Sequence, residues 1–69
     1  MNIRWEDGFE IRTSARDGEL IISANRAGLI SLANILADLA DGHPGDHVHL
    51  DEGNSLENGS AELVIERID

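Results

Sequence analysis

Hydrophobic and polar residues alternate with a period of two at both ends of the chain, and with a helical period in the middle. Ile3 and Trp5 alternate with Asn2, Arg4 and Glu6, and Phe9 and Ile11 alternate with Glu10 and Arg12. A period of two marks half-buried strands. Asp7-Gly8 and Asp17-Gly18 interrupt this pattern with dipeptides that reach positive φ at little cost, so residues 2 to 24 divide into three short strands. The third, ELIISA from Glu19 to Ala24, is apolar on both faces. That composition predicts a central strand, or one covered from both sides.

The stretch NRAGLISLANILADLADG then changes period. Asn25 is a good N-cap, the body from Arg26 to Ala40 lacks proline, and Gly42 stands where a left-handed C-terminal cap is wanted, with Pro44 beyond it. Leu29, Leu32, Ala33, Leu36, Leu39 and Ala40 share a stripe at spacings of three, four and seven. The helix would be roughly 22 Å long, a match for a short strand. Its apolar arc, from Ile35 through Leu32 and Leu29 to Ile30, is roughly 220° wide, about twice what one sheet face covers. Ser31, Asn34 and Asp38 mark the polar side. The surplus flanks, Ile30 and Ile35, are therefore candidates for contact with a covering loop or with another protein.

Two more strands close the chain: DHVHLD around Val48 and Leu50, and AELVIERI from Ala61 to Ile68, with Asn58-Gly59 as the turn between. In the last, Leu63 and Ile65 point one way, and Val64 and Ile68 the other with Glu62 and Glu66. The expected fold is α+β: a single domain over residues 1 to 69, with a small, mostly antiparallel sheet of about five strands in the order β-β-β-α-β-β and one amphipathic helix across one face. An uncovered second face carrying Ile21, Val64 and Ile68 would favour self-association.

Charge adds a direction to this picture. The net charge of −9 is unevenly spread. Residues 1 to 30 hold four arginines against five acids, a balance of −1, whereas residues 31 to 69 hold Arg67 alone against nine acids, a balance of −8. Such a surface repels nucleic acid and anionic membrane and attracts a basic partner. With no cysteine, disulfides and thiolate metal sites are excluded. The start MNIRWEDGFE lacks the basic and apolar segments of a signal peptide, so a cytoplasmic location is expected.

The candidate chemistry lies in HVHLDEGNSLENGS, residues 47 to 60. His47, His49 and Asp51 share one strand face and are plausible ligand types for a divalent metal. The same residues serve equally as the polar face of a strand whose inward side is Val48 and Leu50, and that reading predicts no metal and no cofactor. A calcium loop starting at Asp51 fails at Gly53, Ser55 and Leu56, where acids or amides and a glycine are required. None of the serines has a nucleophile motif around it, so no catalytic residues are expected and the chain is read as a non-enzyme.

ISANRAGLISLANILADLA followed by HVHLDEGNSLENGSAELVIERI resembles the immunity protein 32 family of bacterial polymorphic toxin systems. The shared features are a strand leading into NRxGL and an amphipathic helix, an HxHLD strand, and LExGSxELxIE to the end, over about residues 21 to 68. The resemblance implies a protein that binds and neutralises a cognate toxin, typically one encoded beside it. It brings no active-site residues. On that reading Asp46, Asp51, Glu52 and Glu57 drive association with a basic toxin surface. The alternative is a stand-alone structural or interaction module, a homodimer in its simplest form, without catalytic role.

Overall fold

A computed structural model describes residues 2–69. The elements run β1 (Ile11–Arg16), β2 (Glu19–Ala24), α1 (Arg26–Ala40), β3 (His47–Leu50) and β4 (Leu63–Glu66). The fold is α+β, but the expected sheet of about five strands is corrected to two separate antiparallel pairs, β1 with β2 and β3 with β4. Asp17 (φ 53°) and Gly18 (φ 78°) both sit in the left-handed region, as a two-residue type I′ hairpin turn demands. β2 is an edge strand rather than a central one: Leu20 is 86% exposed and Ile22 about half exposed.

The first expected strand is absent because the helix claims its backbone. Glu6 N–H donates to Ser31 Oγ (2.8 Å), Asn34 Nδ2 donates to the Arg4 carbonyl (2.9 Å), and Arg4 Nη2 pairs with Asp38 Oδ1 (2.7 Å). Asn25 does the same at the next turn: its Oδ1 accepts from Gly28 N–H as N-cap (2.8 Å) and from Glu10 N–H (3.0 Å), and its Nδ2 donates to the Gly8 carbonyl (2.9 Å). With the Arg4 carbonyl and the Glu6 N–H engaged by helix side chains, the groups that one edge of a ladder would use here are already taken. The second strand accordingly begins at Ile11, later than the Phe9 start expected from alternation.

This attachment also rotates the helix. Ser31, Asn34 and Asp38, the polar side of the helix, face the N-terminal segment, and Ser31 is fully buried, its hydroxyl also donating to the Ala27 carbonyl. The buried face is consequently Gly28, Ser31, Leu32, Ile35 and Leu39. Leu29 and Leu36, at the middle of the expected apolar stripe, are more than half exposed. Ile35, expected on a surplus flank, is 0% exposed and lies in the core with Ile11, Leu32, Leu39, Leu50 and Leu56, out of reach of a partner. Each of these side chains contributes about 2 kcal/mol on burial.

At the other end of α1, Gly42 is not left-handed. The helix closes through Asp41 N–H to the Ala37 carbonyl and Gly42 N–H to the Leu39 carbonyl. Arg67 Nη1 then donates to the Ala40 (3.0 Å) and Gly42 (2.8 Å) carbonyls, placing positive charge at the negative helix end. The positive φ belongs to Gly45, at 88°, in the turn that feeds β3.

The two sheets meet along the outer edge of β1. Glu57 N–H donates to the Ile11 carbonyl (2.9 Å) and Ala61 N–H to the Thr13 carbonyl (3.1 Å). Thr13 N–H donates to Ser60 Oγ (3.2 Å), and the Thr13 hydroxyl donates to the Ala61 carbonyl. Ile11 and Thr13 are two residues apart while Glu57 and Ala61 are four apart, the difference being taken up at the Asn58-Gly59 turn, where Gly59 has φ 87°. A mismatch of that size cannot continue as a ladder, which is why the sheets remain separate.

Two substitutions test this arrangement. Gly28→Ala, ordinarily stabilising inside a helix by about 1 kcal/mol, should instead destabilise by about 1–3 kcal/mol. The added Cβ would collide with the Glu10 carbonyl oxygen and crowd Ile11 and Ala24. Asn25→Ala should cost about 2 kcal/mol or more, since it removes a cap and two long-range bonds. Urea unfolding of the purified variants reads both values, and a stabilised Gly28→Ala would contradict the packing described.

Candidate functional site

The twelve residues from Asp51 to Glu62 connect β3 to β4 and carry most of the candidate residues. Asp51 organises the start of this loop. Its Oδ1 accepts from Gly53 N–H (2.8 Å) and Asn54 N–H (3.1 Å), and its carbonyl accepts from Ser55 and Leu56 N–H (3.0 and 2.9 Å). Asn54 answers with Oδ1 toward Asp51 N–H and Nδ2 toward the His49 carbonyl. These side chains fold the turn on itself and drop Leu56 into the core. Leu56 in turn sets Glu57 against β1.

Glu52 braces the far side, with Oε2 accepting from Gly59 N–H at 2.8 Å. Glu57 is half-buried and lines a shallow groove with Glu10 and Arg12. Asp51, Glu52 and Glu57 thus lie on one loop, and the carboxylates of Asp51 and Glu52 also hold its backbone. Asp46 is apart from them. It precedes β3 whereas Asp51 follows it, so about five residues, or roughly 16 Å of strand, separate the two. Its Oδ2 accepts from His43 N–H (2.8 Å), closing the Gly45 turn.

His47 and His49 do share the exposed face of β3, their ring centroids 5.1 Å apart and nearly perpendicular. The inward face is Val48 and Leu50, the latter almost fully buried. His47 Nδ1 lies 3.0 Å from the Gly45 carbonyl and His49 Nδ1 lies 3.5 Å from Glu62 Oε1. The Asp51 carboxylate is turned into its own loop rather than toward the imidazoles. Among the described residues no group of three His, Asp or Glu side chains is placed to hold a metal ion. Nor, among them, is any helix long and apolar enough to cross a membrane.

Of the two apolar candidates, Ile30 is half-buried on the flank of α1 and Ile35 is in the core. Three residues that matter to the site were outside the sequence expectations: Thr13, Ser60 and Asn54. Thr13 stands at an inward position of an alternating strand, where a hydroxyl signals a buried hydrogen bond. Ser60 and Asn54 offered only turn composition.

The double duty of Asp51 separates its charge from its hydrogen bonds. Asp51→Asn keeps Oδ1 as acceptor and should change stability by about 0.5 kcal/mol at most, whereas Asp51→Ala should cost about 1–2 kcal/mol. Thermal or urea unfolding of both variants checks this, and equal losses would show that the loop does not depend on the side-chain acceptor.

Comparison with known proteins supplies what the geometry does not. No curated protein and no solved structure matches the chain. The family model described as Immunity protein 32 matches residues 19–68, from the start of β2 to two residues past β4. The matched span takes in the second hairpin strand, the whole helix with its Asn25 cap, and the acidic loop, and on that extent the chain belongs to the Immunity protein 32 family.

Proposed function

We propose that this protein binds and neutralises a protein toxin encoded beside it, acting in the cytoplasm, through protein contact and without catalysis, nucleic acid or membrane. The family match over residues 19–68 carries this reading. The charge distribution supports it. Residues 31 to 69 hold nine acids and one arginine, and that arginine is engaged with the carbonyls at the end of α1. A surface of this kind accelerates encounter with a basic partner and competes for sites built to hold phosphate. Asp51, Glu52 and Glu57 form the near edge of the acidic surface, with Asp46 adding to the field from the other end of β3. Ile30 is an apolar contact at the helix flank.

Co-expression with the product of the adjacent gene tests the function: rescue of growth and co-purification are expected, and toxicity unrelieved by the chain would refute it. Replacing Asp46, Asp51, Glu52 and Glu57 by their amides should lower the association rate with that toxin about tenfold and flatten its dependence on salt. An unchanged rate and salt slope would remove the electrostatic part of the proposal.

A second reading, a homodimeric interaction module, is favoured by the exposure of Leu29 and Leu36 on one side of α1. Sedimentation across concentration should reveal a dimer if that is the role of the stripe, and a monomer at high concentration rejects it.

A further inference from the structure

We infer that the edge of β4 left free by β3 is a docking site for an extended segment of a protein partner, one in which basic residues flank an apolar residue. The inference rests on reading the chain as a partner-binding protein, and it places the contact on β4 and the last residue of the acidic loop, Glu62, rather than on Asp51 to Glu57.

The β3–β4 register determines which backbone groups are free. Arg67 N–H donates to the Asp46 carbonyl. Because hydrogen-bonding direction alternates along a strand, Ile65 and Leu63 bond to β3, while Glu66, Val64 and Glu62 turn N–H and C=O to the opposite edge. Among the described residues no backbone group bonds to those of Val64 or Glu62 from that side. The same alternation applies to β1. Its two-residue turn is closed by Arg16 and Glu19, so Ser14 and Arg12 bond to β2, and Ile11, Thr13 and Ala15 face outward. Ile11 and Thr13 are taken by Glu57 and Ala61, and among the described residues Ala15 has no backbone partner on that side.

Past Thr13 the two edges diverge. They leave a mostly apolar groove of about 350 Å³ bounded by Ala15, Leu20, Ile22, Leu63 and Val64. Leu20 at 86% and Val64 at 49% exposure are unusual for residues of a 69-residue chain that is short of apolar burial. A groove with unmet backbone donors and acceptors on its walls and apolar side chains along it is the arrangement used in strand addition.

Charge identifies the occupant. The outward side chains of the free edge read Glu62, Val64, Glu66, an apolar residue between two acids. An incoming strand sets its own residues opposite these, and a basic, apolar, basic triplet at alternate positions complements all three. A second copy laid antiparallel about Val64 would instead oppose Glu62 of each chain to Glu66 of the other, between molecules each of net charge −9. Like charges directly opposite one another are a device against edge pairing, which leaves a basic segment of a different protein as the occupant.

The probe is the peptide acetyl-Lys-Val-Val-Val-Lys-amide, titrated into the isotopically labelled full chain and followed by amide NMR. Its glutamate counterpart and a version N-methylated at alternate residues serve as controls. The lysine peptide at millimolar concentration should shift the amides of Glu62, Val64 and Ala15, and both controls should bind about tenfold more weakly. Val64→Pro removes one edge N–H where a strand tolerates proline and should abolish the shifts. Val64→Lys, which keeps the N–H, should weaken the lysine peptide about tenfold and so covers any misfolding of the proline variant. The inference is overturned by shifts centred on Asp51 to Glu57 or on the helix, by equal binding of the lysine and glutamate peptides, or by no shift at all. It is equally overturned if the same amides shift with the concentration of the chain alone, which would make a second copy the occupant. Growth rescue without edge binding removes this site and leaves toxin neutralisation standing, and edge binding without rescue does the reverse.

Discussion

The outer edge of β1 is the main seam between the two halves of the chain, and four hydrogen bonds cross it, beside those that Arg67 makes to the end of α1. The Ile11 carbonyl takes Glu57 N–H, and Thr13 meets Ser60 and Ala61 through its N–H, its carbonyl and its hydroxyl. Without them β1 and β2 with α1 would form one unit, and β3 and β4 another, each too small to bury a core of its own. With them, Leu50 and Leu56 from the second half close over Ile11, Leu32, Ile35 and Leu39 from the first. Thr13 is suited to this post because a buried hydroxyl can bond the irregular 57–61 segment where a second ladder strand would not fit.

The same constraint leaves surface unfinished. The bridging segment satisfies β1 only as far as Thr13, so the tip of the first hairpin overhangs with Leu20 and Ile22 uncovered. The N-terminal segment occupies the polar side of α1 through Ser31, Asn34 and Asp38, which turns Leu29 and Leu36 outward. A protein whose work is to hold another protein has use for such surface.

Much of the local structure was legible in the sequence because it depends on neighbours in the chain. The bounds of α1, the Asn25 cap, the type I′ turn at Asp17-Gly18, and the division of His47 and His49 from Val48 and Leu50 all follow from spacing and turn chemistry. The family was legible too, in stretches that the structure shows to be the helix entry and the second hairpin. What escaped was set by distant partners. Alternation at Ile3 and Trp5 reads as a strand, but Ser31 and Asn34 compete successfully for that backbone. The apolar arc of α1 is wide enough to admit several orientations, and the polar stripe selects one of them by bonding the N-terminal segment, a partner that no local pattern reveals. The sequence presents Asp51 as a strand-face ligand type or an acidic contact and Glu52 as charge, and neither reading contains the loop bonds that their carboxylates make. Gly42 carried the right composition for a left-handed cap, a role made unnecessary by Arg67, twenty-five residues along the chain.

If the edge of β1 unites the molecule, the bonds across it should open only when the whole molecule unfolds. Amide hydrogen exchange at Glu57 and Ala61, measured by NMR beside Leu39, which lies in the hydrophobic core near the end of α1, tests that directly. The three amides should exchange with the same opening free energy, equal to that of global unfolding. Fast exchange at Glu57 and Ala61 while Leu39 stays protected would show that the second half opens on its own, and would contradict the account.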